Sequence, residues 1–165
     1  MKARSIPLIL VVLCLMVAPF GEARPQGRKA RDTPKRFKLK NEPEIGMKLP
    51  FKRRSTSLLM TGSGGLEPAY EVEHEGSEFT VCAYEDRLIH HVSTNDPRFR
   101  TPEGIAVGVS LKEVLELSKG KLVREPGWAF FVSLKSGWNA AFVQGESMTE
   151  GELSPDAKVR FLFKR

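Results

Sequence analysis

Short runs of alternating apolar and polar residues, cut by tight turns, limit this chain's fold choices more than any other feature of the sequence. Tyr70-Glu71-Val72-Glu73-His74-Glu75 alternates strictly, the period of a strand with one buried and one wet face. Gly76-Ser77 follows, a dipeptide suited to a two-residue turn with glycine first, so Glu78 to Tyr84 is expected to return as its partner. Glu85-Asp86 turns the chain again into Arg87 to Ser93, completing a three-strand meander. This register sets Val72 against Val81, Thr80 against His91, and Cys82 against Ile89.

The same period returns later. Trp128, Phe130, Val132 and Leu134 are expected on one face, Ser136-Gly137 turns the chain, and Trp138, Ala140 and Phe142 come back. Two Trp and two Phe place much of the core here. Lys121 to Glu125 precedes this pair through a Pro126-Gly127 turn, and Ala157, Val159, Phe161 and Phe163 alternate along a last strand. Between the two groups, Ser110 with Glu113 three residues on forms a capping box that opens a short helix. Leu111, Val114 and Leu115 form its apolar stripe, and Lys119-Gly120 closes it. No βαβ rhythm is present. The expected class is α+β: a mainly antiparallel sheet of about seven strands with one short helix packed on it.

Charge divides the chain. Residues 24–54 hold twelve Lys or Arg against three acids, and residues 55–165 hold twelve against sixteen. The basic segment carries four prolines and reads as a disordered tail, joined through Gly62-Ser63-Gly64-Gly65 to a domain expected over 66–165. Ahead of it, Lys2 and Arg4, the apolar run Ile6 to Val17 and Gly21-Glu22-Ala23 follow the order of a secretory signal cut after Ala23. Cys14 lies inside that signal, so Cys82 is the lone cysteine of the mature chain and an internal disulfide is ruled out. Export to the periplasm or cell envelope, or secretion, is the expectation.

The segment Thr101-Pro102-Glu103-Gly104-Ile105-Ala106-Val107-Gly108-Val109-Ser110, continuing to Val114, resembles a T-x-x-G-I-x-V-G-x-S pattern found in small exported bacterial proteins of uncharacterised role. The resemblance is close over about 14 residues and loose over about 90. It implies bacterial export and a meander, helix and aromatic-strand order, and it brings no activity or catalytic residue. The glycines and cap are also similar to the turn before the helix in small envelope lipoproteins and β-lactamase inhibitory proteins. Physically, Gly104 and Gly108 allow backbone angles closed to other residues, and Ser110 satisfies amides at the helix start. Those amides, beside Arg98 and Arg100, form the candidate binding site for an anionic group.

Signatures of catalysis are missing: the sequence has no G-x-S-x-G, P-loop, H-E-x-x-H or C-x-x-C. His74 and His90 are expected on one face but about 10 Å apart at the spacing of paired strands, too far to share a zinc ion. His91 and Cys82 come out as a diagonal pair about 7–8 Å apart. No metal or cofactor is expected. Glu71, Glu73, Glu75 and Glu78 form an acidic rim.

These readings converge on an exported, non-enzymatic binding or inhibitor-like module. Its expected partner is a protein or anionic envelope component, met through loop 98–110 or the basic tail 24–54, with peripheral membrane-surface contact and no nucleic acid. Two alternatives stay open: a small envelope enzyme or metal-dependent protein using Cys82 and His91, and a purely structural exported domain.

Overall fold

The computed structural model describes residues 36–52, 55, 57–143 and 149–165, all within one unit, Thr33–Arg165. The expected signal, residues 24–35 of the expected tail, and Arg53, Arg54 and Thr56 lie outside the described residues. The strands are β1 (Phe37–Lys38), β2 (Ser57–Gly62), β3 (Gly65–His74), β4 (Ser77–Ala83), β5 (Ile89–Thr94), β6 (Leu122–Glu125), β7 (Ala129–Ser133), β8 (Asn139–Phe142) and β9 (Phe161–Lys164). The helix α1 (Leu111–Ser118) lies between β5 and β6. The class is α+β and dominated by sheet. The sheet has nine strands in the order β1-β3-β4-β5-β9-β8-β7-β6, with β2 also paired to β3. It is mixed, because β1 runs parallel to β3, which corrects the expectation of about seven antiparallel strands.

The domain also begins earlier than Leu66. Leu49 is 2 % exposed, and Leu39 is buried in the main core with Phe37, Met47 and Phe51 packed around it. Gly46 N donates to Ile89 O at 2.7 Å and Leu49 N to Arg87 O at 3.0 Å, so residues 46–49 are bonded along the start of β5. The Phe37 and Phe51 rings stack at 3.6 Å between centroids. Pairing with the sheet and burial of these side chains hold residues 36–52 in the fold, despite their basic character.

Two turns shift the expected register. The β3–β4 turn is Glu75-Gly76, both with positive φ (47° and 80°), the backbone of a type I′ hairpin; Val72 therefore opposes Phe79 rather than Val81. The next turn takes three residues, with Arg87 at φ 72°, the form in which a left-handed third residue makes a bulge. A second irregularity follows, pairing Ala83 with Ile89 but Cys82 with His91, so that His90 is the extra residue. Cys82 and His91 are thus direct neighbours, not a diagonal pair, and Thr80 opposes Ser93.

The sheet buries both faces. On one, Val72, Phe79, Val81, Val92, Leu162, Ala140, Phe130 and Val132 form the main core beneath α1 and residues 37–51. The helix starts as expected: Ser110 caps it, its side chain accepts from Glu113 N, and the Glu113 side chain accepts from Ser110 N. Leu111 and Val114 are buried. The chain leaves α1 so close to β7 that a Cβ on Gly120 would lie 2.7 Å from Val132 Cγ1.

A second, smaller cluster of Trp128, Ala129, Phe131, Ala141 and Phe163 occupies the other face, with Phe161 against it. Trp128 therefore does not share a face with Phe130 and Val132; it sits in the turn ahead of β7 and swings to the opposite side. Along the last strand, Val159 and Leu162 belong to the main core and Phe161 and Phe163 to the second cluster, so the alternation breaks between Val159 and Phe161. Among the described residues no helix is long and apolar enough to cross a membrane.

Candidate functional site

The helix-start site expected at Arg98, Arg100, Gly104, Gly108 and Ser110 is closed by its own hydrogen bonds. Leu111 N donates to Ala157 O at 2.8 Å and Lys112 N to Pro155 O at 3.0 Å. Glu113 N donates to Ser110 Oγ at 3.3 Å, and the Ser110 hydroxyl donates to Glu113 Oε2. With these partners the first turn has no free amide to offer an anion. Arg98 is held by Asp96, its Nε 2.9 Å from Oδ1, and lies 3.6 Å from Glu78. That guanidinium, with backbone donors from Arg98 and Glu78, holds the Asp96 carboxyl well below the usual range. Among the described residues Arg100 reaches the Gly104 carbonyl, at 3.4 Å. Gly104 and Gly108 have φ of 84° and 92°, so their role is in the turns, where the left-handed region favours glycine.

The acidic rim is largely paired. Glu71 accepts from Thr80 at 3.3 Å, Glu73 lies 3.6 Å from Lys38, and Glu78 lies 2.8 Å from Arg36. Nor do the histidines gather. His74 Nδ1 lies 3.3 Å from Leu39 O, and His90 pairs with Glu67 at 3.0 Å and stacks on Tyr84. Among the described residues no group of three or more His, Cys, Asp or Glu could hold a metal ion.

The arrangement that does converge lies on the second face, under the β2–β3 hairpin. β4 pairs with β3 only from Ala69 onward, while β2 pairs with β3 as far as Gly65; residues 57–68 therefore project as a two-stranded arm beyond the main sheet. The arm reaches the turn ahead of β7, where Trp128 Nε1 donates to Met60 O at 3.1 Å. Between arm and sheet is a cleft of about 310 Å³, lined by Leu59 and Met60 from the arm, Thr80 from β4, and His91, Ser93, Thr94 and Asn95 from β5 and its exit. Trp128, Val143, Arg160 and Phe161 complete it. Such a volume falls at the lower end of small-ligand pockets, and an apolar lining with a few polar groups is their usual composition.

His91 dominates its chemistry. It is 1 % exposed, its ring runs nearly parallel to Phe163 at 6.0 Å, and burial lowers its pKa to about 4, with His90 adding to the effect. The imidazole is therefore neutral at pH 7. Its Nδ1 is the one buried side-chain nitrogen or oxygen without a hydrogen-bond partner among the described residues. Such atoms are rare, because leaving one unpaired costs about 1–3 kcal/mol. Arg160 is exposed and makes no ion pair among the described residues, so the cleft combines a neutral imidazole with a free cation, while the hydroxyls of Thr80, Ser93 and Thr94 already donate to Glu71, Thr80 O and Glu78 O. Cys82, beside His91, is fully buried; burial first, then the charge of Glu67, pushes its thiol up to about 12. It is a thiol, not a thiolate, at neutral pH.

Fold and cleft together define an α+β sheet protein with a small amphipathic cleft under a projecting hairpin. In comparisons with family models, curated proteins and solved structures, nothing matches the chain. Sequence reasoning singled out His91 but tied it to Cys82, and it missed Trp128, Arg160, Thr80 and the arm. One signal was present: Phe131 falls between Phe130 and Val132, on the face of β7 expected to be wet, and a bulky aromatic there implies that this face is covered as well.

Proposed function

We propose that this protein is a non-enzymatic binding module of the bacterial envelope that holds a small amphiphilic anion in the cleft beneath the β2–β3 arm. The observation that carries the reading is the unpartnered, buried Nδ1 of His91, a residue that lines an otherwise largely apolar cavity. A ligand hydroxyl there relieves the unmet hydrogen bond, an acyl or aromatic body covers Leu59, Met60, Trp128 and Phe161, and a carboxylate or phosphate meets Arg160. Export rests on the signal-like residues 1–23 and on the resemblance at Thr101–Ser110. The reading moves the anionic partner away from loop 98–110, whose helix-start amides are taken. Use of Cys82 and His91 as a reactive pair is disfavoured by the buried, protonated thiol.

Isothermal titration with 3-hydroxydecanoate and decanoate tests it. One site per chain is expected, with the hydroxylated acid tighter by about tenfold, the worth of one good hydrogen bond. His91→Leu should erase that preference, and Arg160→Ala should weaken both ligands by several-fold. No saturable binding of either acid, or a hydroxyl preference that survives His91→Leu, contradicts the reading.

A further inference from the structure

Besides the Trp128 bond to Met60 O and the His90–Glu67 pair nearer its base, the arm that roofs the cleft is fastened at its tip, among the described residues, by a few groups. Ser63 N donates to Glu125 Oε1 at 3.1 Å, Arg165 Nη1 donates to Thr61 O at 3.4 Å, and Arg165 pairs with Glu125. The Arg165 guanidinium rests on the second cluster, 4.7 Å from the Trp128 ring centroid, 5.6 Å from Phe131 and 5.5 Å from Phe163. Cation and aromatic faces at these distances attract, so Arg165 is held in place to serve as a catch. Gly62 lets the arm come close: a Cβ there would stand 3.1 Å from Glu125 Oε1 and 3.3 Å from Arg165 Nη1. On the arm's outer side Leu58 and Leu66 are 62 % and 61 % exposed, so little packing holds it from above. A two-stranded hairpin is marginal in water on its own.

From this we infer that residues 57–68 are a flap over the cleft, latched shut by the Glu125 and Arg165 pair, and that release of the latch sets how fast ligand enters and leaves. The ligand half rests on the binding role proposed above. The latch half does not, because the catch is made by the protein's own groups. Opening the flap carries Leu59 and Met60 away from the opposite wall, while Thr80, His91 and Ser93 stay on paired strands.

Hydrogen exchange of the full chain, read at the amides of residues 58–66, tests the latch in Glu125→Gln and Arg165→Met. Exchange in the arm should quicken by about tenfold or more in both variants, with β4 and β5 protection unchanged. Stopped-flow binding of 3-hydroxydecanoate should then show association and dissociation rates both rising, with Kd moving less than either rate. Glu125→Gln keeps size and shape, so it guards against a folding defect. Unchanged arm exchange in both variants overturns the latch whatever the ligand does. Faster arm exchange with unaltered binding rates overturns the gating. Faster exchange with no saturable binding upholds the latch and sinks the binding role.

Discussion

Burial disfavours the charged form of an imidazole, and for His91 the consequence is a stability that depends on pH. Its pKa falls from 6.5 to about 4 on folding, so the unfolded chain binds the proton more tightly. The stabilisation from keeping this ring neutral is complete above about pH 6.5 and is lost as pH falls toward about 4, amounting to roughly 3 kcal/mol at most. His91→Leu should flatten that part of the profile while changing stability at pH 7 by under about 1 kcal/mol, since it removes an unpaired polar atom. Urea midpoints across this range check both statements; an unaltered slope in the variant contradicts them. Asp96 acts in the same sense, over a more acidic range. Its pKa is lowered by Arg98 and by backbone donors, so its contribution is present above about pH 4 and disappears in stronger acid. Asp96→Ala strips acceptors from Glu78 N, Arg98 N and Arg98 Nε and should cost about 2–3 kcal/mol in urea unfolding at pH 7.

Among the elements, α1 was legible at its start because the signals there are local: a cap at Ser110, Glu113 three residues on, and an apolar stripe; at its end the left-handed residue is Lys119, with φ 54°, rather than the expected glycine. Ser110→Ala should cost about 1 kcal/mol. Millimolar phosphate should leave the melting temperature of the native protein unmoved, since its helix-start amides are occupied; a specific phosphate shift would contradict that. The hairpin registers were less legible. Gly76 can sit first in a Gly-Ser turn or second in a Glu-Gly turn, and the choice moves every pairing of β3 and β4. The extra residue at His90 depends on how β5 meets β4, which neither strand states alone. That bulge sets His91 opposite Cys82 and on the cleft side, so the candidate site depends on the detail that local pattern reading resolves least.

At the scale of the molecule, the basic stretch over residues 36–52 is the largest departure from the sequence reading. Lysines, arginines and prolines gave it the composition of a solvated tail, yet Phe37 and Leu39, then Met47, Leu49 and Phe51, are spaced two apart, as strand-like segments require. Leu49→Ala should cost about 2–5 kcal/mol, the range for truncating a buried leucine, and should be visible in thermal melts; a loss below about 0.5 kcal/mol would show that the segment is dispensable. The two-sided sheet was only half read: the aromatic core under α1 followed from alternation, and the second cluster did not, because Trp128 swings across from the turn ahead of β7 to meet Phe161 and Phe163 of β9, a strand distant in sequence.

The central claim, that the cleft takes a ligand through His91, is tested most directly by nitrogen-15 NMR of the histidine side chains during titration with 3-hydroxydecanoate. The account predicts that the Nδ1 resonance of His91 moves in a saturable, one-to-one manner while the side-chain signals of His74 stay fixed. A His91 Nδ1 signal that remains in place at ligand saturation would contradict it.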